Sequence, residues 1–451
     1  MPPPSKRAER FRYDGYTIDP SRGEVRCTYS TGGHTFTERY VFGTEGDWES
    51  PAVEAAVRIL FLLAAVSYYK TTAAEVIDLG ATPTTAEERS FLATYYVNGL
   101  AEFAYRNDID LQGLQVIGPD ATAAAAPDYA PEPLRPLIPF GGGIDSIVTV
   151  AWLTQHVSDA ALCVVHPPGE RFDAIEGAAA VTGLPITRIT REIDPLVRRS
   201  DELGFLNGHV PVTAIITAAA LVAAVLDHRD AVVLSNEWSA SIPTLFFEGQ
   251  PVNHQWSKGI EFEEGFARLV ANTLGPHVSV FSYLRSRSEL WVAMQFSALT
   301  QYHGVFRSCN RAFHQDRTAR LTRWCGTCDK CCFIDLILAP FMAAAELRRV
   351  FDGHEPLDDA DLEDRFFDLL GLDPDAKPFE CVGDVEECRA ALFHAALRPD
   401  RQDSPVLDGL AEHMHNEAGL RYSDVIEFLP PLGPHHIPER YAPSDLLVHT
   451  H

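Results

Sequence analysis

A short apolar strand that ends in three consecutive glycines constrains this chain more than any other feature. Residues 134–140 are apolar except for Arg135, glycines occupy positions 141–143, and residues 145–156 have the periodicity of an amphipathic helix. Glycines at such a turn let backbone N–H groups approach a ligand without a Cβ in the way, and a helix start adds its dipole and unpaired N–H donors. The pattern therefore predicts a cradle for a pyrophosphate or triphosphate where the helix begins, at Asp145 and Ser146.

Strand and helix patterns alternate after this loop, with further strands expected at 160–166, 231–235 and 278–283 and helices at 172–182 and 210–226. Helices of this length between strands imply an α/β fold with a parallel, doubly wound sheet. The pattern of the region before the glycine loop predicts an antiparallel β meander followed by helices. The predicted domains are an N-terminal α+β domain at 1–120, a linker at 121–133, the doubly wound domain with an inserted metal knuckle at 134–347, and an acidic helical C-terminal region with an irregular tail at 348–451.

The charge of the chain argues against two classes of partner. Its formal net charge is -26, and a field of that sign repels nucleic acid and anionic membranes. The N-terminal residues lack the apolar core of a secretory signal. The longest apolar run, 209–227, is alanine-rich and predicts a buried helix rather than a membrane span. We therefore expect a soluble, cytoplasmic protein.

Four cysteines have the spacing of a metal site. Cys309 precedes Cys325, Cys328 and Cys331, and the last three are separated by intervals of three residues. Four thiolates can close a tetrahedral Zn²⁺ site, which would be structural because no coordination position stays open. Cys332 competes with Cys331 as a ligand, and an iron–sulfur cluster is the less favoured alternative.

Arginines are concentrated in the same region of this acidic chain. The set is Arg307, Arg311, Arg317, Arg320 and Arg323, with Asp316 as the one acid among them. This local reversal of charge predicts an anion clamp for diphosphate or carboxylate, with Arg311 as a candidate nucleotide contact. A solvated loop with scattered charge is the alternative.

Polar side chains concentrate after one of the predicted strands. Asn236 and Glu237 follow its carboxyl end, where ligands bind in open α/β sheets, so Asn236 is a candidate nucleotide-binding residue. His254 and Lys258 lie in a polar and aromatic stretch soon after, and His209 precedes the Ala-rich helix. A single histidine is more often structural than catalytic, but this concentration of polar side chains favours a site.

The glycine loop resembles the Ser-Gly-Gly-x-Asp-Ser loop of the ATP pyrophosphatase superfamily, of the adenine nucleotide alpha hydrolase type, whose members cleave ATP to AMP and pyrophosphate. The resemblance implies that Asp145 holds Mg²⁺. The phosphate-binding residues that it implies are Gly141, Gly142, Gly143 and Ser146. Gly141 replaces the serine of the family, and Ile144 stands where relatives often carry a polar or basic residue. With the four cysteines, the loop looks like that of the 7-cyano-7-deazaguanine synthases, which are much shorter.

Longer motifs resemble the bacterial UDP-N-acetylmuramoyl-L-alanyl-L-glutamate epimerases of peptidoglycan synthesis, over residues from about 11 to about 392. The matching stretches are VSYYK (66–70), EFAYRN (102–107), NGHVPVT (207–213), SNEWS (235–239), VNHQWSK (252–258), WCGTC (324–328) and KPFECVG (377–383). The resemblance implies that ATP adenylates the α-carboxylate of the terminal L-glutamate, which acidifies the α-proton and allows the carbon to be inverted. It also implies ATP, Mg²⁺ and structural Zn²⁺ as cofactors and a UDP-linked muramoyl dipeptide as substrate.

Inversion needs either two proton-transfer groups on opposite faces of the carbon or one mobile group. The candidate groups are His254, His209, Glu237 and Lys258. Cys381 is an outside candidate, since thiols transfer protons in some amino-acid racemases, although an ordinary buried cysteine is the simpler interpretation.

Three alternatives remain at this stage, and the oligomeric state is open. An ATP-dependent ligase or amidotransferase would let an amine intercept the same adenylate, although no N-terminal cysteine nucleophile follows Met1. A zinc-stabilised nucleotide-binding protein would bind without turnover. A paralogous epimerase of a natural-product pathway would act on a different glutamyl carboxylate.

Overall fold

The computed structural model describes residues 7–121, 126–314, 317–372, 379–380, 382–402, 404–416 and 424–443. A ten-stranded sheet organises them, and a separate two-stranded hairpin lies outside it. The strands of the main sheet are β1 (Arg10–Asp19), β2 (Glu24–Thr31), β3 (His34–Phe42), β4 (Val76–Asp78), β5 (Gln115–Ile117), β6 (Glu132–Pro139), β7 (Ala161–His166), β8 (Ile186–Glu192), β9 (Arg229–Leu234) and β12 (Ser279–Ser282), and the hairpin contains β10 (Leu245–Phe247) and β11 (Gln250–Val252).

The α-helices cover both faces of the main sheet and continue beyond it into a helical C-terminal region. They are α1 (Pro51–Ala64), α2 (Val66–Tyr69), α3 (Ala86–Gly99), α4 (Ala101–Asn107), α5 (Ile144–Leu153), α6 (Asp173–Thr182), α7 (Ser200–Leu203), α8 (Val212–Leu226), α9 (Ile260–Leu274), α10 (Glu289–Ser297), α11 (Asp329–Leu338), α12 (Ala344–Val350), α13 (Glu363–Leu369), α14 (Val385–Ala396) and α15 (Pro405–Asn416).

The strand order is β12-β9-β6-β7-β8-β3-β2-β1-β4-β5. The first five strands in this order are parallel to one another, and β4 and β5 are parallel to β1. Only the pairs that involve β2 or β3 are antiparallel among these neighbours. The predicted α/β fold with a mainly parallel sheet is therefore confirmed.

Each central strand separates two hydrophobic cores. Along β6, Leu137 points into a core with α1, α8 and α9, whereas Ile138 points into the core that contains α5, α6, α10 and α11. All six residues of β9 are buried, as expected for a strand covered by helices on both faces. Because β6, β9 and β12 are parallel neighbours, their carboxyl ends lie at one edge of the sheet, below the loops that carry the polar motifs.

The N-terminal meander continues the parallel sheet instead of forming a sheet of its own. Strand β3 pairs antiparallel with β8, with Phe42 opposite Ile189. Next to this seam Arg191 donates to Glu38 over 2.5 Å, and Glu38 is fully buried while Arg191 is nearly so. The proposed boundaries at 120 and 134 stay a prediction, but the regions on either side share one sheet.

One helical stretch, Pro51–Tyr69, is long and apolar enough to cross a membrane, and 83% of its most apolar window is buried in the protein. Within it, tyrosine hydroxyls donate to backbone carbonyls in the last turn of α1, where helix geometry leaves carbonyl groups without a partner inside the helix. Tyr13 donates to Leu62 O over 2.8 Å and Tyr29 donates to Phe61 O over 2.7 Å. Its burial is that of a core helix. The helix expected from the apolar run 209–227 is α8, which is also largely buried.

Candidate active site

The glycine loop connects β6 to α5 and packs tightly against two neighbouring segments. Gly142 has a φ of +75°, and a Cβ at this position would lie 2.5 Å from the Ala174 carbonyl oxygen. A Cβ on Gly143 would lie 3.1 Å from Ser308 Oγ, whereas one on Gly141 would meet no described atom within 4 Å. The loop is thus held against α6 and the 305–309 segment, and Gly141 lies at its open side.

Ser146 lies in the first turn of α5 and is nearly buried. Its hydroxyl donates to Gly143 O over 3.0 Å, so its proton stabilises the loop itself. The hydroxyl oxygen keeps the ability to accept. Gly141, Gly142, Gly143 and Ser146 therefore form one compact turn at a helix N-terminus, which is the geometry of an anion cradle.

Three carboxylates meet beside this turn. Asp145, Glu237 and Glu289 each offer an oxygen, and these oxygens lie within 4.8 Å of one another. Each residue follows a parallel strand at its carboxyl end: Asp145 follows β6, Glu237 follows β9, and Glu289 begins α10 after β12. The shared edge of the sheet brings them together, at the position where open α/β sheets bind ligands.

The surroundings of Glu289 disfavour its charged form. Glu289 is buried, and its Oε2 has no hydrogen-bond partner among the described residues. Burial, followed by the negative charges of Glu237 and Asp145, raises the pKa of Glu289 well above its usual value, and Lys330 opposes the shift. A divalent cation would remove this repulsion, and oxygen donors of this kind are those that Mg²⁺ prefers.

A second cluster joins the N-terminal region to the parallel sheet. His254 Nδ1 lies 2.5 Å from Glu102 Oε2, and His209 Nδ1 lies 4.0 Å from the same oxygen. The centres of the two imidazole rings are 4.2 Å apart. Arg106 Nε donates to the other carboxylate oxygen of Glu102 over 2.7 Å. The structure therefore brings together the two predicted histidines and adds Glu102, which the sequence did not single out.

Burial and neighbouring charge set the protonation of this histidine cluster. Burial, then the proximity of His254, lowers the pKa of His209 to about 4, and Lys258 and Lys70 act in the same direction. Burial also lowers the pKa of Lys70 to about 8. Burial opposes ionisation of Glu102, but the hydrogen bond to His254, the positive charge on His254 and His209 when they are protonated, and the hydrogen bond from Arg106 together outweigh it and keep the Glu102 pKa below its usual value. At neutral pH Glu102 is thus ionised and His209 is neutral.

Arg285, which the sequence did not single out, connects the backbone at Glu237 to the backbone at Lys258. This buried guanidinium donates to Glu237 O over 2.9 Å and to Lys258 O over 2.5 Å, and it forms an ion pair with Glu263 at 2.7 Å. Asn236 Nδ2 donates to Ser282 Oγ over 3.0 Å, across the ends of β9 and β12. These bonds hold the loops that carry Glu237 and Lys258 in fixed relative positions.

The four predicted cysteines converge. The sulfurs of Cys309, Cys325, Cys328 and Cys331 lie within 4.8 Å of one another, with Cys331 at 3.4 Å from Cys328 and 3.6 Å from Cys325. Four thiolates around one Zn²⁺ would be about 3.8 Å apart, given Zn–S bonds of about 2.3 Å. Cys331, and not Cys332, is part of the group. The cluster could hold a metal ion, and it lies next to Ser308, which contacts the glycine loop.

The arginines near these cysteines have different surroundings. Arg320 forms an ion pair with Glu170 at 2.8 Å and lies over the Phe172 ring at 4.4 Å. Arg311 and Arg323 are exposed, whereas Arg307 Nε is buried without a hydrogen-bond partner among the described residues. The side chain of Arg317 and the whole of Cys381 lie outside the described residues, so the anion clamp stays a prediction.

Comparison with known proteins provides independent information. A model of the MurL N-terminal domain matches residues 4–283, and a model of the MurL C-terminal domain matches residues 305–424. A protein of Micromonospora sp., named UDP-N-acetyl-alpha-D-muramoyl-L-alanyl-L-glutamate epimerase, is 36% identical over 97% of this chain and 98% of its own length. Proteins of the same name from Salinispora tropica and Xanthomonas oryzae pv. oryzae are 35% and 38% identical over 97% and 80% of this chain and 95% and 79% of their own lengths.

Proposed function

The chain belongs to the MurL family, and we infer from this membership that it is an isomerase that epimerises the L-glutamate of UDP-N-acetyl-α-D-muramoyl-L-alanyl-L-glutamate. The product carries D-glutamate, so the reaction belongs to peptidoglycan synthesis. The inference rests on identities of 35–38% over most of the chain. Substrates of this class and ATP are cytoplasmic, which is the location that we propose.

We further propose that ATP drives the reaction by adenylating the α-carboxylate of the glutamyl residue, with release of pyrophosphate. The observation that carries this proposal is the convergence of Asp145, Glu237 and Glu289 beside the glycine loop, at one edge of the parallel sheet. An acyl-adenylate withdraws electrons from the α-carbon more strongly than a carboxylate does, so the α-proton becomes acidic enough for a side chain to remove. Under this proposal, the parallel part of the sheet belongs to a fold of the ATP pyrophosphatase type.

Two kinds of metal site fit the residues present. Asp145, Glu237 and Glu289 would hold Mg²⁺, which neutralises the charge of the phosphates when it is bound. The amides of Gly141, Gly142 and Gly143 and the hydroxyl of Ser146 would orient the phosphate oxygens, with Asn236 and Arg311 as further candidate contacts. Cys309, Cys325, Cys328 and Cys331 would hold a structural Zn²⁺ that anchors the segment against the glycine loop.

The proposed proton-transfer groups fall into two places. His209 and His254 form one unit on Glu102, and Lys258 is held close by, with its Nζ 3.2 Å from Gln255 Oε1. Glu237 lies instead with the acids at the glycine loop. We therefore assign Glu237 to metal binding and the histidine pair to proton transfer.

The decisive experiment incubates the protein with ATP, Mg²⁺ and the L-glutamyl substrate, without an added amine. After inversion, water attacks the acyl carbonyl of the adenylate and AMP leaves, so we expect AMP, pyrophosphate and the D-glutamyl product, whose configuration is determined by chiral analysis of the glutamate. In the Asp145→Asn variant kcat/KM should fall about 100-fold or more, because a ligand to the metal and the charge it balances are lost. Asp201→Asn, an exposed acid in the first turn of α7, is the matched control and should retain activity.

Two outcomes would contradict the proposal. Epimerisation without ATP, or undiminished epimerisation by Asp145→Asn, would exclude adenylation at this site. Product formation that requires an added amine would identify a ligase or amidotransferase.

A further inference from the structure

Both carboxylate oxygens of Glu102 have hydrogen-bond partners in or beside the histidine cluster. Oε2 lies 2.5 Å from His254 Nδ1, and Oε1 accepts from Arg106 Nε at 2.7 Å. The side chain is only 6% exposed, and it reaches His254 from α4, 152 positions away in the sequence. With both oxygens bound and the carboxylate buried, its orientation is fixed.

We propose that Glu102 is a positioning residue that fixes the tautomer of His254, and that the His254–His209 pair transfers the proton on one face of the glutamyl α-carbon only. This inference rests on the proposed epimerase function. It assigns a role to Glu102 and limits the histidines to one half of the inversion, so that a different group must serve the other face.

The tautomer follows from the carboxylate. A Glu102 carboxylate can only accept, so His254 donates its Nδ1 proton, and the basic lone pair is then on Nε2. When Nε2 accepts a proton, the adjacent negative charge stabilises the imidazolium that forms, as carboxylates do in other His–carboxylate pairs. Arg106 holds the carboxylate in place from its other side.

The restriction to one face follows from the distance between the rings. Two groups that flank a carbon must each approach it to about 3 Å, so they stand about 6 Å apart. The ring centres of His209 and His254 are 4.2 Å apart, which leaves no room for a substrate atom between them. His254 Nδ1 is hydrogen-bonded to Glu102 Oε2 over 2.5 Å, so His254 Nε2 lies on the side away from Glu102, and His209 Nδ1 lies 4.0 Å from the same oxygen.

The Cα–H bond of the activated glutamyl group breaks, its electron pair moves into the adjacent carbonyl to give an enolate, and the proton goes to His254 Nε2. The enolate electrons then return to Cα, where a second group donates a proton to the opposite face. In the reverse direction the pair donates and the second group accepts. His209 is neutral in this environment and therefore adds no second positive charge to the pair.

The first test separates positioning from folding with Glu102→Gln and a matched control, Glu24→Gln. Glu24 is also a buried carboxylate between two arginines, Arg26 and Arg39, but it lies in the β meander. For Glu102→Gln we expect AMP release and the KM for ATP to stay within a few-fold of wild type while epimerisation falls about 100-fold or more. Glu102→Asp should recover part of that loss, and Glu24→Gln should epimerise normally.

Unchanged epimerisation by Glu102→Gln would overturn the assignment. A parallel loss of AMP release and epimerisation would also overturn it, because it would show a structural role. Failure of the proposed function itself has a different signature, the absence of D-glutamyl product from the wild-type protein.

The second test addresses the single face. A single turnover of α-deuterated L-substrate in ordinary water should give D-product without the label, because the returning proton comes from another group. Deuterium retained in the product would show that one unit carries the proton across, which would overturn the inference.

A third measurement distinguishes a proton relay from a metal site, since two imidazoles and a carboxylate can also bind a metal ion. The His254→Asn protein should contain the same number of metal equivalents as wild type. Loss of one equivalent would identify the cluster as a metal centre and overturn the inference.

Discussion

At the scale of single residues, the sequence identified two of the three clustered acids, Asp145 and Glu237, and missed the third, Glu289. Asp145 lies within the glycine motif and Glu237 follows a recognisable buried strand, so local pattern singled out both. Glu289 follows β12 at the same edge, but only the loop 283–288 separates strand from helix, and no motif marks it. The available signal was positional: the first acid after each parallel strand falls at the same edge of the sheet.

The four clustered cysteines, which we propose bind Zn²⁺, allow a prediction with a neighbouring control. Cys331→Ala should remove the bound metal and lower the melting temperature, because three thiolates no longer close the site. Cys332→Ala changes the next residue, which is also buried but lies outside the group of four. It should keep one metal equivalent per chain, measured by elemental analysis. Equal metal loss in both variants would contradict the ligand assignment.

His209 makes stability depend on pH. Its folded pKa of about 4 lies below the unfolded value of 6.5, so the unfolded chain binds a proton first as the pH falls. The contribution of His209 to the free energy of unfolding is therefore fully present above pH 6.5. As the pH falls towards 4, the free energy of unfolding decreases by up to about 3 kcal/mol from this group. We expect His209→Asn to lose less free energy of unfolding than wild type between pH 7 and 4.5, measured by chemical denaturation.

His277, which is exposed, provides the control for this prediction. His277→Asn should lose as much free energy of unfolding as wild type over the same pH interval. If His209→Asn behaves in the same way as His277→Asn, then burial of His209 does not perturb its titration.

Among the structural elements, the glycine loop depends on one of its three glycines for its shape. Gly142 has φ +75°, and a Cβ there would lie 2.5 Å from Ala174 O, whereas a Cβ on Gly141 would meet nothing within 4 Å. Gly142→Ala should therefore lower the free energy of unfolding by about 1–3 kcal/mol or more and abolish AMP release. Gly141→Ala should leave stability within about 0.5 kcal/mol of wild type. Chemical denaturation of both variants is the measurement, and equal effects would contradict the loop geometry.

Helix α4 connects two features that are far apart in the sequence. Glu102 and Arg106 on this helix belong to the histidine cluster, while Ala101, Ala104 and Tyr105 line an open groove of about 690 Å³ against the β10–β11 hairpin. The N-terminal region thus contributes directly to the candidate active site. Removal of residues 1–120 would delete Glu102 together with the strands that cover the edge of β8.

For the whole molecule, the continuous sheet predicts that the N-terminal region and the parallel region unfold together. Glu38 and Arg191 form a buried ion pair next to the seam between β3 and β8, and Tyr40 also donates to Glu38 over 2.8 Å. Glu38→Ala leaves the buried Arg191 charge uncompensated and should cost about 3–5 kcal/mol. The measurement is chemical denaturation, which should show one cooperative transition in both wild type and variant.

Glu192 is the control at the same seam, since half of its side chain is exposed and it pairs with Arg39 at 3.0 Å. Glu192→Ala should cost no more than about 1 kcal/mol. Two separate transitions, or an equal cost in the two variants, would show that the regions are energetically independent.

The sequence by itself determined the features that local spacing encodes. The strand, glycine turn and helix around Asp145 follow from periodicity within some twenty residues, and the cysteine group follows from three closely spaced thiols and a fourth a short distance upstream. The α/β class follows from the alternation of such segments. The glycine turn, the cysteine group and the α/β class depend on backbone geometry and on contacts between residues close in sequence. The tertiary structure therefore agrees with what the sequence predicts for them.

Only the tertiary structure decided which distant side chains meet. Glu102 reaches His254 across 152 sequence positions, Glu289 joins Asp145 through a shared sheet edge, and Arg285 holds the Glu237 and Lys258 loops together. It also placed β3 beside β8, which made one sheet of two expected domains. The physical reason is that strand order and helix packing are set by burial over the whole molecule, and no local pattern encodes which edges pair.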